Sequence, residues 1–408
     1  MKRLLLSKLR RNIANQIKCE NILFANKIET KFCALAFDFK FRIMSSIQLY
    51  LEEMRIIQNN FLSFLEDESN VESNYQNLKR QFEETKINND IHKMKSILHL
   101  LTKIANNHHR GPDFNRKIER ILEIFQDDIK KLPNSEIFNI FKSNKLILLY
   151  LLEQKIMIFD EYIATNIASI KYNKLNYPRF FMPEMKPFLK VFNIKYNIVS
   201  YINNEQIPSN FYENRRIGEN DSEICDLIRT DSIKKFISHV KKNKYPLNSR
   251  IEPSMYETNS FLIKNKPTLI EYAAFYGSIQ IFQFLKKSKV DLTPSLWYFG
   301  IHSRNLEFIH LLEEISIIPD NDCFIESLKC HHNDIAIYIK NKLLNEENLN
   351  NSFIQSLKYF NFAFIQNINI SSFFDICRYG HSLLTIILLN DKDVDINKIL
   401  NHIFRYNS

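Results

Sequence analysis

The stretch Thr268–Leu312, "TLIEYAAFYGSIQIFQFLKKSKVDLTPSLWYFGIHSRNLEFIHLL", determines which fold the sequence predicts. It is apolar enough to form a core, but turn residues divide it into pieces shorter than the usual helices of a globular domain. The ten residues from Ala273 align with the ten residues from Gly300, so one pattern recurs after 27 residues. A short helix pair of this kind buries too little apolar surface alone. The repetition therefore predicts stacked helix pairs that share one core.

Three more copies of the pattern follow along the chain. "SLKCHHNDIAIYI" gives a third copy 28 residues on, in which His332 takes the place of Gly277. "SLKYFNFAFI" gives a fourth copy that is one residue short, and "ICRYGHSLLTIILL" gives a fifth in which Gly380 restores the glycine. The step from the fourth copy to the fifth is about 20 residues, which predicts a shortened second helix. Residues 224–240 predict a divergent pair ahead of the first clear copy.

At these residues the chain resembles the ankyrin repeat, whose pattern is Thr-Pro-Leu-His-x-Ala-Ala-x-x-Gly-His. The residues that match it, and that the resemblance marks as defining the repeat, are Thr268, Ala273, Ala274, Gly277, Gly380 and His381. The steps of 27 and 28 residues are shorter than the ankyrin step of about 33 residues, which predicts trimmed connecting hairpins.

The resemblance extends to one branch of ankyrin proteins. "LIEYAAFYGS", "LTPSLWYFGIHSRN" and the upstream "LTKIANNHHRGPDFNRKIERILEIF" together resemble a large family expanded in trichomonad protists. In that family a helical N-terminal domain of unknown function precedes divergent repeats, and the resemblance here runs from Met44 to the C-terminus. It implies an all-α protein with an ankyrin-like solenoid that acts as a protein-binding scaffold or adaptor and catalyses no reaction.

The resemblance also implies which residues face a protein partner on the concave side of the solenoid. They are the two positions before each turn residue, namely Phe275, Tyr276, His302, Ser303, Cys330, His331, Tyr359, Phe360, Arg378 and Tyr379. Aromatic residues and arginine are enriched among the residues that dominate binding energy at interfaces. The alternative is that the aromatic residues among them pack against neighbouring repeats, because aromatic residues at helical spacing commonly belong to a core.

The rest of the chain predicts three further segments. Apolar residues at helical spacing predict a helical N-terminal domain over 44–175. Prolines and then polar residues predict a Pro- and aromatic-rich segment and polar linker over 176–222, ahead of the divergent repeats at 223–408. Residues 1–43 are a basic leader, which is either a targeting segment or an upstream extension of a true start at Met44.

The charge of the chain is concentrated in that leader. Residues 1–43 hold ten Lys and Arg against three acids, a net charge of +7, and the other 365 residues sum to only +2. Nucleic-acid binding by the main body is therefore not expected, because it depends on a basic stripe. The alternative function is a peripheral membrane or nucleic-acid-associated protein that uses the exposed leader.

Catalytic, cofactor and metal sites are not expected. The five glycines do not cluster into a phosphate-binding loop, and the six cysteines include no Cys-x-x-Cys pair. The adjacent histidines His108-His109 and His331-His332 have the wrong spacing for two ligands on one helix face. We expect no small-molecule substrate.

The composition indicates where the protein is located, but it does not identify a partner. The longest uninterrupted apolar runs, such as "LILLYLL" at 146–152, are far shorter than the roughly 20 residues that span a bilayer, so no transmembrane segment is predicted. Scattered cysteines favour a reducing, intracellular and cytoplasmic setting. The sequence identifies neither the protein partner nor the oligomeric state.

Overall fold

The computed structural model of the chain describes residues 45–84, 90–111, 113–169, 176–189, 206–343, 349–366, 368 and 372–389. These residues form 23 helices and no strand, apart from one isolated antiparallel bridge between Arg250 and Thr268. The predicted all-α fold class is confirmed. Contacts divide the chain into two compact units, residues 1–53 with 368–408, and residues 54–367.

The helices are labelled here in chain order, and most lie in the second unit. The first ten are α1 (45–66), α2 (Val71–Glu84), α3 (Ile91–Asn107), α4 (Phe114–Ile124), α5 (Gln126–Ile129), α6 (Asn134–Phe141), α7 (Lys145–Glu153), α8 (Glu161–Ile167), α9 (Tyr177–Phe180) and α10 (Met182–Met185). The next eleven are α11 (Phe211–Ile217), α12 (Glu223–Arg229), α13 (Ile233–Asn243), α14 (Ser260–Asn265), α15 (Leu269–Tyr276), α16 (Ile279–Lys287), α17 (Leu296–Ser303), α18 (Leu306–Glu314), α19 (Asn321–Cys330), α20 (Asn333–Leu343) and α21 (Leu349–Tyr359). In the first unit, α22 (Phe373–Arg378) and α23 (Ser382–Leu389) form one helix pair.

The segment predicted to be a linker, residues 176–222, contains packed helices where it is described. Phe180, Phe181 and Phe211 are buried in and next to α9 and α11. Pro178 and Pro183 lie in the first turns of α9 and α10, where a proline costs no hydrogen bond. The predicted domain boundaries near 175 and 223 fall inside the second unit and stay predictions.

Each helix pair turns through a residue with left-handed backbone conformation. These residues are Asp231, Gly277, Arg304, His331, Phe360 and Gly380, with φ between 44° and 81°. In five of the pairs the amide of the following residue donates to the carbonyl five residues earlier, as Ser278 does to Ala273 (2.9 Å). This bond is the one that closes the C-terminus of a helix ending in a left-handed residue.

The left-handed residue corrects the alignment of the third copy. His331 has φ 59°, so it takes the place of Gly277, which the sequence alignment gave to His332. The first, second and third copies are therefore spaced by 27 residues each. The reason is that the closing bond runs from the His332 amide to Ser327 (3.1 Å), which places His331 at the turn. The two positions before the third turn, at His331, are therefore Lys329 and Cys330. The two positions before the fourth turn, at Phe360, are Lys358 and Tyr359.

After three of these turns, the next residue links its pair to the pair before. Ser278 Oγ donates to the Ile228 carbonyl (2.6 Å), His332 Nδ1 to the Ile301 carbonyl (2.8 Å), and Asn361 Nδ2 to the Leu328 carbonyl (3.0 Å). Each accepting carbonyl lies three residues before the turn residue of the preceding pair. The donors are buried, so each bond satisfies a polar group that water cannot reach. We call this series the turn ladder.

The first helices of successive pairs contact one another in chain order. α12 contacts α15, α15 contacts α17, α17 contacts α19, and α19 contacts α21. Small residues Ala273 and Ala274 are fully buried in α15 and let its neighbours approach closely. The chain's only tryptophan, Trp297, is fully buried in α17 and donates from Nε1 to the Ile317 carbonyl (2.6 Å). After α21 the second helix is reduced to the 3₁₀ helix Phe362–Phe364.

The turn at Gly277 gives a first testable prediction. A side chain at φ 69° is strained, so we expect Gly277→Ala to lower the free energy of unfolding by about 1–2 kcal/mol, measured by urea denaturation. The matched control is Gly111→Ala, because the nearest atoms to a Cβ at Gly111 lie 3.8 Å away and its φ is not in the left-handed region. Equal losses for the two variants would show that the turn conformation carries no cost.

Candidate functional site

Most residues predicted to contact a partner lie inside the protein. In the second unit, six of them are buried: Phe275, His302, Ser303, Cys330, His331 and Phe360. Tyr276 and Tyr359 are half-buried. In the first unit Arg378 is exposed and Tyr379 is half-buried, with the Arg378 guanidinium 5.6 Å from the centre of the Tyr379 ring. A partner could reach Tyr359, Arg378 and Tyr379 without any change in the structure.

Helix α3 covers part of the predicted binding face. His99 stacks on Phe360 with 5.6 Å between ring centres. Near the end of α3, His108 Nδ1 donates to the Cys330 carbonyl (2.9 Å). The ring of His108 also meets that of His332 edge-on at 4.8 Å. The positions that the ankyrin resemblance assigns to a partner are thus contacted by a helix of the same chain.

Helix α1 covers the later pairs through side chains from residue 54 onward. Gln58 donates from Nε2 to Asn361 Oδ1 (3.0 Å) and accepts from the Phe362 amide at Oε1 (2.7 Å). Arg55 donates to the carbonyls of Phe362 (3.0 Å) and Ile365 (2.8 Å). At the last residue of the helix, Glu66 contacts the turn at Arg304 through an ion pair. No local pattern in the sequence indicated these contacts, since about 300 residues separate Gln58 from Asn361.

The histidines at these contacts are held neutral by burial. Burial lowers the pKa of His331 to about 3, and lowers the pKa of His99 and His109 to about 4. The pKa of His332 is lowered well below its ordinary value for the same reason. His331 Nε2 donates to the Tyr359 carbonyl (3.1 Å), so one neutral tautomer fits its surroundings. The histidine rings at these contacts are therefore neutral at pH 7.

His302, Glu326 and Cys330 form a compact cluster between α17 and α19. His302 Nε2 lies 2.7 Å from Glu326 Oε1, and Cys330 Sγ lies 3.5 Å from His302 Nδ1. A ligand atom of each residue lies within 4.8 Å of the other two. Glu326 and Cys330 are four residues apart on one helix face, a spacing that the sequence shows. His302 joins them because the 27-residue step brings α17 beside α19.

The same cluster has the composition of a nucleophile, a base and an orienting carboxylate, but its geometry does not activate the thiol. Sγ of Cys330 is 3.5 Å from one ring nitrogen of His302 and 3.6 Å from the other. A sulfur on the lone-pair axis of one ring nitrogen would lie much farther from the other ring nitrogen. The two nearly equal distances therefore place Sγ off both axes. Burial raises the pKa of the Cys330 thiol well above its usual range, and the side chain has no exposed surface.

The cluster is better described as a satisfied polar network than as a metal centre. Lys329 Nζ lies 2.6 Å from the same Glu326 oxygen that contacts His302. Burial alone would raise the pKa of Glu326, but its bonds to His302 and Lys329 hold it at about 2. A cation in the cluster would have to displace this ammonium group from its contact with a largely buried carboxylate.

Two open polar clefts lie among the described residues of the second unit. One, of about 690 Å³, is lined by Arg116, Glu119 and Arg216 among others; the second, of about 600 Å³, contains His109 and Arg304. Each cleft contains an ion pair in its wall, Arg216 with Glu153 (3.2 Å) in the first and Arg304 with Glu66 in the second.

Two further findings concern membrane-spanning helices and known proteins. Across the described residues, no helix is both long enough and apolar enough to cross a membrane. Comparison of the chain with family models, with curated proteins and with solved structures finds no match. The resemblance to ankyrin proteins therefore stays a prediction from the residues themselves.

Proposed function

We propose that this chain is a non-enzymatic scaffold for protein–protein interaction, built as a helical N-terminal region and an ankyrin-like solenoid of the trichomonad type. The observation that carries the proposal is the turn ladder, in which each of three pairs is hydrogen-bonded to the equivalent carbonyl of the pair before it. Repetition of one linkage at one register is what a solenoid requires, because each unit is stabilised by its neighbours.

Local features of α15 support the ankyrin-like assignment. Thr268 and Glu271 form a capping box at the start of this helix, in which the Thr268 amide donates to Glu271 Oε2 (2.8 Å). Gly277 ends the helix in the left-handed conformation. Glu271 thus occupies the position of the ankyrin histidine and supplies a capping bond in its place.

A scaffold role is favoured over catalysis by the state of Cys330, the cysteine that has a base and a carboxylate beside it among the described residues. Cys330 has a base and a carboxylate beside it, but it is buried and off the lone-pair axis of His302. A stack of helix pairs instead offers an extended, rigid surface on which a few anchoring side chains bind a partner. The leader, residues 1–43, lies outside the described residues, so the alternative of a leader-driven membrane or nucleic-acid protein stays a prediction.

The accessible anchors under this proposal are Tyr359, Arg378 and Tyr379. Arginine and tyrosine are the residue types that most often dominate interface energy. The buried members of the predicted set, such as Phe275 and His302, would meet a partner only where the helices that cover them are displaced; for these two, the covering ring is Phe261 of α14.

An affinity capture with three forms of the full chain tests the proposal. We expect the unaltered chain to retain a defined set of proteins, and the variant Arg378→Ala with Tyr379→Ala to lose a subset of them, with affinity for a purified member falling at least about tenfold. The matched control is Lys79→Ala with Arg80→Ala, two exposed residues on α2. Identical sets and affinities for all three forms would remove Arg378 and Tyr379 as anchors and leave the scaffold without its accessible site.

A further inference from the structure

One segment of the main body is strongly basic, although the body as a whole is nearly neutral. Residues 232–290 hold eleven Lys and Arg against three acids, a net charge of +8, whereas residues 44–408 together sum to +2. The nearly neutral net charge of residues 44–408 therefore conceals a separation of positive from negative charge along the chain. The cations of this segment lie on α13, α14, α16 and the loops beside them.

The acids of the segment do not neutralise this charge at the surface. Glu257 and Glu271 are buried, the first beside Arg110 and the second in the capping box of α15. Glu252 alone among the three is exposed. In the described part of the chain, none of the eleven Lys and Arg forms an ion pair with a carboxylate. The charge is therefore free to act on a partner.

Contacts at both ends of α13 and α16 place their basic ends side by side. At their beginnings, the Asp231 carboxylate accepts from the amides of Gln280 and Ile281, both at 3.0 Å. Beyond their ends, the Asp291 amide donates to Asn248 Oδ1 (3.3 Å). The two helices thus run in the same direction, and each has two lysines in its last turn.

A third group of cations joins this edge through Arg250. Its guanidinium donates to the Lys266 carbonyl at the end of α14 (2.7 Å), and its backbone pairs with Thr268. We call the combined surface the basic edge. It comprises Lys241, Lys242, Lys244, Arg250, Lys264, Lys266, Lys286, Lys287 and Lys289.

Apolar side chains are exposed in the loops at this edge and at the next one. Leu292, in the loop after α16, keeps 39% of its surface exposed, and Pro294 beside it is also exposed. In the loop after α18, Ile318 is 78% exposed, and this loop is fixed to α17 by the bond from Trp297 to Ile317. Exposed apolar tips with lysines behind them are the combination that binds the interface of a lipid bilayer.

The composition favours a lipid surface over a nucleic acid. Ten of the eleven cations are lysines, and a lysine ammonium acts as a compact, hydrated point charge, while arginine is preferred for bidentate phosphate recognition. The basic-edge lysines of α13 and α16 also lie at helix C-termini, whose carbonyl dipoles disfavour a phosphate held close against the backbone. An anionic bilayer requires only a positive surface potential and an apolar tip.

We propose that the basic edge adsorbs to anionic membrane surfaces, with the Leu292 side chain inserted among the lipid headgroups. This role differs from the proposed protein scaffold and does not use the leader. The exposed residues Lys242 and Lys287 bring lysine charge to the headgroups from two adjacent helices. Binding should weaken as the salt concentration rises, because the interaction is largely electrostatic.

Co-sedimentation of the full chain with vesicles tests this proposal. The vesicles contain about 30% phosphatidylserine in phosphatidylcholine, and the reference vesicles contain phosphatidylcholine alone. Each lysine near an anionic surface contributes about fivefold to binding, so we expect Lys242→Gln with Lys287→Gln to weaken partitioning about 25-fold. Leu292→Ser should weaken it several-fold through the lost apolar contact.

The control Lys79→Gln with Lys186→Gln removes the same charge from exposed positions elsewhere in the second unit, and it should change partitioning less than about twofold. Because all variants keep residues 1–43, any contribution of the leader is equal. Absence of vesicle binding, or equal binding by the edge variant and the control, would refute the proposal. If Lys242→Gln with Lys287→Gln lost binding to duplex DNA but kept its binding to vesicles, the proposal would be refuted in favour of a nucleic-acid partner.

Discussion

Lowering the pH from 7 to 5 is expected to remove about 4–6 kcal/mol from the free energy of unfolding of the second unit. The groups counted are His99, His109 and His331, which lie where α3 meets the helix pairs; His332, whose pKa burial also lowers, adds to the loss in the same direction. Burial holds the pKa of His331 at about 3 and the pKa of the other two at about 4, against about 6.5 in an unfolded chain.

The direction follows from which state binds the proton. Below pH 6.5 the unfolded chain takes up protons at these histidines, while the folded protein keeps the rings neutral. Stability is thus complete above about pH 7, and it is lost as the pH falls toward the lowered pKa values of about 3 and 4. At pH 5 the loss is about 2 kcal/mol for the fully buried His331, and somewhat less for His99 and His109, which keep part of their surface exposed.

Urea denaturation at pH 7 and at pH 5 measures this effect, with the fluorescence of Trp297 as the signal from inside α17. Replacing His331 by Asn should remove about 2 kcal/mol of the difference between the two pH values. His310→Gln is the control, because His310 lies on the surface of α18. The same free energy of unfolding at both pH values would contradict the assignment of these rings as buried and neutral.

Replacing Asn361 by leucine is expected to cost about 3 kcal/mol. Asn361 is fully buried and bonds three elements at once: it donates to the Leu328 carbonyl (3.0 Å) and to Asn333 Oδ1 (2.8 Å), and it accepts from Gln58 Nε2 (3.0 Å). Leucine has a similar volume, so the loss comes from the missing hydrogen bonds and from the buried amide of Gln58 left without this acceptor.

Urea denaturation of two further variants separates these terms. Asn265→Leu, at an exposed position where the amide bonds only to the Phe261 carbonyl, should cost less than about 0.5 kcal/mol. Adding Gln58→Leu to Asn361→Leu should cost less than the sum of the two single changes, because the second replacement removes the unpaired amide. Strict additivity would show that Gln58 and Asn361 do not act together.

The local parts of the fold were predictable from the sequence, and the long-range parts were not. The 27-residue step and the turn at Gly277 come from neighbouring residues, so the helix pairs could be predicted. His331 misled the alignment because a left-handed residue other than glycine carries no distinctive side chain. The covering of Cys330 by His108 joins residues 222 positions apart, and no spacing rule reports such a contact.

Charge was predicted in sum but not in distribution. The total of +2 for residues 44–408 is correct, yet it combines the +8 of residues 232–290 with a net charge of −6 on the rest. Which lysines share an edge depends on the parallel course of α13 and α16, and that course is set by Asp231 and Asn248. The predicted binding residues were chosen by their place relative to each turn, and that place does not reveal which other helix covers them.

The course of α3 across several helix pairs has a consequence for how the second unit unfolds. In a stack linked only between neighbours, pairs at an end can open while the others stay folded. Here α3 contacts Phe360, Cys330 and His332 along its length, so the later pairs cannot separate one at a time without also losing a shared helix. The second unit should therefore unfold in one cooperative transition, and circular dichroism and Trp297 fluorescence should report the same midpoint.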